Sequence, residues 1–175
     1  MSGVDINKFS EWLLAFDTNR EVTNSKTVDG TTYLTTAYTW DSQGNWALKP
    51  LFMDAIANNI ITEVDSNYFQ IFSVAGTKDA IAFNAPRFID NVLDVSKAYT
   101  EGRLSILRLS NFCIKYLPGF ENAYISSIAN SIGTRVSNRV KGKYVYSYND
   151  LITGKNFPRP VLISTSLFST RPQTG

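Results

Sequence analysis

Hydrophobic positions along this chain follow two different spacings, and the spacings predict helices and strands in turn. Steps of three and four residues predict a helix over 4–16, capped by Asp5, and a second over 49–61. The longest such pattern predicts a helix over 95–116, which Pro118 and Gly119 end. The apolar face of the first helix is predicted to carry Ile6, Phe9, Leu13 and Phe16.

Alternation of apolar and polar residues predicts strands elsewhere. The runs 68–74 and 80–85 flank a turn over 76–79, which predicts an antiparallel hairpin. A run rich in threonine and aromatic residues predicts a strand over 31–40, and the region before it, 17–30, is polar and typical of turns. Weaker patterns predict strands over 123–132 and 143–147, then a short helical turn over 149–154 ended by its glycine.

The order of these elements predicts the fold class. Strands and helices are mixed without regular βαβ alternation, which favours an α+β fold: a mixed or antiparallel sheet with helices packed on one side. The chain of 175 residues has the length of one domain, predicted over 1–163, followed by a flexible tail over 164–175 that is rich in serine and threonine.

Composition narrows the classes of function. Hydrophobic residues make up 43% of the chain, enough for a core, and the net charge of +2 is too small to indicate a nucleic-acid partner. No apolar run approaches a membrane span, and the N-terminus lacks the features of a signal peptide, so we expect no membrane partner. Histidine is absent, which excludes Ser-His-Asp triads, Cys-His dyads and the usual zinc sites within this chain.

Cys113 is the one cysteine of the chain, so no internal disulfide can form. It lies in an apolar helical pattern and is predicted to be an unreactive core thiol. A single cysteine is compatible with a reducing compartment and slightly favours the cytoplasm.

Two motifs follow the longest predicted helix. The first is P-G-F-E-N-A over 118–123, and the second is I-G-T-R-V-S-N-R-V-K-G-K-Y over 132–144. Together they resemble the signature of a family of bacterial FAD-dependent oxidoreductases, in which I-G-x-R-x-S-R-R-x-x-G-x-Y follows P-G-F-E-N-A. Asn138 departs from this pattern, since the family often has a doubled arginine at that point.

The resemblance implies that FAD and substrate are bound by different parts of the full-length protein. Such flavoproteins carry a glycine-rich nucleotide-binding turn near their N-terminus, and none of the ten glycines here forms G-x-G-x-x-G. We therefore expect the substrate-side domain of an FAD-dependent oxidoreductase, with FAD in the full-length parent and no cofactor in this chain. The expected partners are the parent's FAD-binding domain and a small-molecule substrate, with possible self-association. The alternative is a free-standing, non-catalytic module that binds a small molecule or a protein.

Arg135 and Arg139 are the candidate site residues. A separation of four residues places them on one face of a helix or of a strand, so that their guanidinium groups can converge on a carboxylate or a pyrophosphate. The resemblance implies that both, with Gly133, face substrate or flavin in the full-length protein, although it supports Arg139 less than Arg135. The alternatives are surface ion pairs for the arginines and an ordinary turn at the glycine.

A tyrosine-rich segment follows the arginines. Tyr144, Tyr146 and Tyr148 alternate, with Lys141 and Lys143 beside them. Such interleaving can stack bases and track phosphates, but the low net charge favours a half-buried strand with its tyrosines towards the core. Asp150 matches an aspartate of the family signature; it is predicted to cap a helix, with proton transfer as the alternative.

Overall fold

The computed structural model of the protein describes residues 1–16, 23–36, 47–67, 69–85, 95–133 and 141–159. These ranges contain four α-helices, one 3₁₀ helix and four strands. They are α1 Ile6–Phe16, β1 Thr23–Val28, β2 Thr31–Thr36, α2 Lys49–Ala57, the 3₁₀ helix Glu63–Asn67, β3 Ile71–Ser73, β4 Ile81–Phe83, α3 Val95–Tyr116 and α4 Tyr148–Ile152. The chain divides into two compact units, Met1–Thr134 and Arg135–Gly175, and each is described by itself.

The sheet of the first unit is antiparallel throughout and has the order β1-β2-β3-β4. The hairpin predicted over 68–85 is confirmed, with Phe72 opposite Ala82, although Tyr68 lies outside the described residues. The predicted strand over 31–40 is confirmed as β2 within its described part. The α+β fold class is therefore correct.

The strand β1 falls in the region that the sequence predicts as turns, and that prediction is wrong. Thr23 to Lys26 contains no apolar residue, so the period-two signal of a strand is missing. The local signal lies in the turn instead. Asp29 and Gly30 have φ of 49° and 74°, which is the geometry of a two-residue type I′ hairpin turn. The exposed side chains of Lys26, Thr27 and Val28 are typical of a strand at the edge of a sheet.

The first helix forms as its spacing predicts. The Asp5 carboxylate accepts a hydrogen bond from the Lys8 amide at 3.0 Å and caps the first turn. Phe9 and Leu13 are buried, and the helix packs against β2. Phe16 is the exception to the predicted face, since it lies partly exposed and stacks on Trp12 at 4.9 Å between ring centroids.

Four phenylalanine rings connect the long helix with the core. Between ring centroids, Phe112 of α3 lies 4.2 Å from Phe52 of α2 and 6.0 Å from Phe69, which shortly precedes β3. Phe69 in turn lies 5.9 Å from Phe83 of β4. Burial of such a side chain contributes about 1.5–3 kcal/mol, so this cluster is a main contact between α3, α2 and the sheet.

A buried carboxylate fixes the 3₁₀ helix to α3. Asp65 accepts hydrogen bonds from Arg108 at 2.6 and 3.1 Å, from Ser105 at 2.6 Å, and from Thr62. Burial alone would raise the pKa of Asp65, but the hydrogen bonds from Arg108, Ser105 and Thr62 outweigh it and hold that pKa well below its usual range. The carboxylate therefore stays ionised, and the arrangement stabilises the fold.

Two predicted strands do not form. In 123–132 the backbone makes one isolated bridge, Ser2 with Tyr124, and no strand, because the segment pairs with the chain start and not with the sheet. The stretch 143–147 is not a strand either, since its polar groups bond locally to Asp150. The predicted helical turn over 149–154 is confirmed as α4, followed by Gly154 with φ of 61°. The predicted tail over 164–175 lies outside the described residues.

Of the helices in the described ranges, none combines the length and the apolar character needed to cross a membrane. In those same ranges, no group of three or more acidic residues or cysteines could hold a metal ion.

Candidate functional site

The candidate site begins at Gly133, the one predicted site residue that the structure describes. It is exposed, and a Cβ atom built on it would meet no atom within 4 Å. Arg135 and Arg139 lie outside the described residues, so their convergence stays a prediction.

The segment that leads to Gly133 is anchored on the long helix. The Tyr99 hydroxyl of α3 donates a hydrogen bond to the Asn130 carbonyl oxygen at 3.3 Å and accepts one from the Ile132 amide at 3.4 Å. These bonds hold the backbone just before Gly133 beside the N-terminal half of α3. The contact therefore fixes the backbone of Asn130 and Ile132 on the first unit.

The motif P-G-F-E-N-A, which precedes that segment, has a clear structural role. The Asp5 amide donates to the Gly119 carbonyl oxygen at 2.8 Å, and Gly119 has φ of 92°. A Cβ atom at this position would lie 2.5 Å from the Asp5 carbonyl oxygen and 3.1 Å from the Phe9 amide nitrogen. Phe120 is fully buried, with its ring edge-on to Phe9 at 5.0 Å. The motif therefore docks the start of α1.

Glu121 reinforces this contact. It forms an ion pair with Lys8 of α1 at 2.6 Å and accepts a hydrogen bond from the Gly119 amide at 3.1 Å. The Lys8 hydrogen bond, with help from backbone amides, lowers the pKa of Glu121 to about 2. The Glu121 carboxylate is ionised at neutral pH and helps to hold the motif against α1.

The second unit is organised around Asp150. The Ser147 hydroxyl accepts a hydrogen bond from the Asp150 amide at 3.2 Å, while the Asp150 carboxylate accepts one from the Ser147 amide at 2.9 Å. This reciprocal pair is a capping box at the start of α4. The prediction that Asp150 caps a helix is confirmed, with Ser147 as its partner.

Two further side chains converge on the same carboxylate. The Tyr144 hydroxyl donates to Asp150 at 2.6 Å, and the Lys155 ammonium lies 3.0 Å from Asp150 and 2.6 Å from the Tyr144 hydroxyl oxygen. The Tyr144 hydrogen bond, followed by those from Ser147 and Lys155, holds the pKa of Asp150 well below its usual range. These hydrogen bonds therefore keep the Asp150 carboxylate ionised.

The prediction of a half-buried strand with core-facing tyrosines is wrong. Tyr144 and Tyr146 are each 50% exposed, and Tyr148 is 69% exposed. The Tyr144 hydroxyl donates a hydrogen bond to the Asp150 carboxylate, and the Tyr146 hydroxyl donates one to the Asp150 carbonyl oxygen. These local bonds form in place of the hydrogen bonds of a sheet. Sequence reasoning missed Ser147 and Lys155, although the S-x-x-D spacing could have indicated the former.

A family comparison decides what these motifs belong to. The model of the family described as FAD dependent oxidoreductase matches residues 11–167, which is most of the chain. The chain belongs to the FAD dependent oxidoreductase family. Comparison with curated proteins and with solved structures gave no match.

Membership in the FAD dependent oxidoreductase family implies FAD as the cofactor. The pyrophosphate of a dinucleotide is usually held by a glycine-rich turn at a helix N-terminus. Among the described helices, α1 and α4 begin with the carboxylates of Asp5 and Asp150, which repel an anion. α2 has Leu48 as its N-cap residue, a proline in its first turn and no glycine there. These three helix starts therefore do not fit the FAD pyrophosphate.

Proposed function

We propose that these residues form the substrate-side part of an FAD-dependent oxidoreductase whose FAD-binding region lies outside them. The observation that carries the proposal is the family match over 11–167 in a chain without a G-x-G-x-x-G turn. The carboxylates at the starts of α1 and α4 support it. On its own the chain is then not catalytic.

In the complete enzyme, FAD supplies hydride chemistry towards a small molecule. The part of this chain is to bind and orient that molecule. We propose that Arg135 and Arg139, which follow Gly133, bind an anionic group of the substrate or flavin through their planar donor arrays. The anchor from Tyr99 to the backbone at Asn130 and Ile132 supports a fixed starting point for that segment.

Arginine substitution in an enzyme assembled with its FAD-binding region tests this role. Arg135→Ala should lower kcat by roughly 30- to 1000-fold, the effect of losing about 2–4 kcal/mol of transition-state stabilisation, with an unchanged melting temperature. Arg139→Ala should have a smaller effect of the same kind. Arg103→Ala, which removes an exposed arginine of α3, is the control and should change neither quantity. Unchanged turnover in both site variants would contradict the assignment.

A further inference from the structure

We propose that exposed side chains within residues 144–157 form the surface through which this chain binds its FAD-binding region. We call these side chains the 144–157 surface; it rests on the proposed function and deepens it. Its members are large hydrophobic side chains that are 37–74% exposed: Tyr144, Val145, Tyr146, Tyr148, Ile152 and Phe157. Among residues 141–159 whose exposure is described, Asp150 alone is buried. So dense a run of exposed apolar side chains is typical of an interface.

Part of this surface is one contiguous aromatic cluster. Phe157 lies 5.2 Å from Tyr144 and 6.0 Å from Tyr146 between ring centroids. The Lys155 ammonium lies 4.6 Å above the Tyr144 ring, so a cation is held within the cluster. Tyr148 and Ile152 are four residues apart on α4 and therefore share a face of that helix.

The bonds to Asp150 hold this surface in shape before any partner arrives. Tyr144, Tyr146 and Lys155 each bond to Asp150, so their side chains have already lost much of their rotational freedom. Tyrosines held in this way give large contact area at low entropic cost on binding. The Asp150 carboxylate therefore both caps the short helix α4 and holds the side chains of the 144–157 surface in place.

The charge of the surface selects the partner. Residues 141–159 contain four basic side chains, Lys141, Lys143, Lys155 and Arg159, against one acidic residue. That acidic residue, Asp150, is already paired with Lys155. A second copy of the chain would bring basic rims together, which is unfavourable, whereas an apolar surface with an acidic rim is complementary. We therefore commit to an acidic-rimmed surface of the FAD-binding region as the occupant.

Single glutamate substitutions on this surface provide the test. Val145 and Ile152 are 74% and 62% exposed, so Val145→Glu and Ile152→Glu should leave the fold intact while opposing an acidic, apolar partner. Met53 of α2 is 54% exposed, and Met53→Glu is the control with the same change in charge. Thermal melting of each variant checks the fold, and Lys143→Glu tests the basic rim separately.

The probe is the isolated FAD-binding domain of a full-length family member, loaded with FAD, and affinity is measured by calorimetry at low and high salt. We expect the wild-type chain to bind, Val145→Glu and Ile152→Glu to weaken binding at least about tenfold, and Met53→Glu to stay within about twofold. Salt should weaken wild-type binding, and Lys143→Glu should reduce that dependence.

The other outcomes separate the two proposals. Equal affinity for Val145→Glu, Ile152→Glu and the control Met53→Glu would overturn the 144–157 surface and leave the proposed function standing. A wild-type chain that does not bind the probe would contradict the proposed function, and with it the occupant. A wild-type dimer that Val145→Glu dissociates, seen by sedimentation, would show that a second copy is the occupant and overturn the inference.

Discussion

Gly119 and Asp5 are so close that a Cβ atom on residue 119 would lie 2.5 Å from the Asp5 carbonyl oxygen. Gly119 also has φ of 92°, where other residues are strained. The glycine of the P-G-F-E-N-A motif is therefore required by the contact between that motif and α1, and the motif is a structural feature of this chain.

Gly119→Ala should consequently destabilise the protein by about 2–4 kcal/mol, since backbone strain and a steric clash act together. Gly102→Ala is the matched control, because Gly102 lies inside α3 and a Cβ atom there meets nothing within 4 Å. It should be neutral or stabilise by up to about 1 kcal/mol. Urea unfolding measures both values, and equal stability of the two variants would contradict the close contact.

Removal of the Asp65 charge should be costly and dependent on pH. Asp65→Asn leaves Arg108 without its ionic partner, and we expect a loss of about 3 kcal/mol at neutral pH. Because the folded-state pKa of Asp65 lies below its ordinary value of 3.8, the stabilisation is fully present above that pH and is lost as the pH falls towards the folded-state pKa.

The difference in stability between wild type and Asp65→Asn should therefore shrink below about pH 4. Asp29→Asn is a suitable control, since Asp29 is exposed and its φ of 49° is one that asparagine tolerates. Unfolding free energies measured across the acidic range give the comparison. A difference that stays constant with pH would show that the carboxylate charge is not the stabilising feature.

The capping box of α4 predicts a local effect. Ser147→Ala removes the hydroxyl that accepts the Asp150 amide and should cost the helix about 1 kcal/mol. Amide hydrogen exchange over 148–153 should then speed up about fivefold, while exchange in α3 stays unchanged. Asn156→Ala changes an exposed residue nearby and should have no such effect. Equal exchange in both variants would argue against the capping box.

Cys113 should be unreactive in the folded protein. It is fully buried in α3, and burial strongly raises the pKa of its thiol, so little nucleophilic thiolate forms at neutral pH. A thiol reagent should modify it only as fast as the protein unfolds, and urea should accelerate the reaction sharply. Rapid stoichiometric labelling of the native protein would contradict its place in the core.

The sequence predicted those elements whose apolar spacing reflects their burial. The spacing of Ile6, Phe9 and Leu13 matches the buried face of α1, and the pattern over 68–85 matches the β3–β4 hairpin. The sequence did not predict the strand β1, because its pairing depends on backbone hydrogen bonds and on the Asp29-Gly30 turn. The spacing of apolar residues carries no signal for either feature.

The candidate site was less predictable for a physical reason. Alternating tyrosines are typical of a half-buried strand, but a nearby carboxylate can also accept hydrogen bonds from their hydroxyls. The local sequence does not show whether the strand or the hydrogen bonds to the carboxylate will form. In this structure the contacts with Asp150 form and the strand does not, since Tyr144 and Lys155 both bond to the Asp150 carboxylate. The motif glycine Gly119 was recognised as part of a family signature, while its role against Asp5 required the tertiary contact.

We propose that this chain belongs to a flavoenzyme without itself holding the flavin, and titration with FAD is the decisive measurement. FAD fluorescence is followed while the purified chain is added in increasing amounts, with an FAD-binding domain of the same family as the positive control. We predict that the chain leaves the fluorescence of free FAD unchanged and purifies without colour. A yellow preparation with one flavin per chain, or saturable quenching by the chain alone, would show instead that the chain binds FAD by itself.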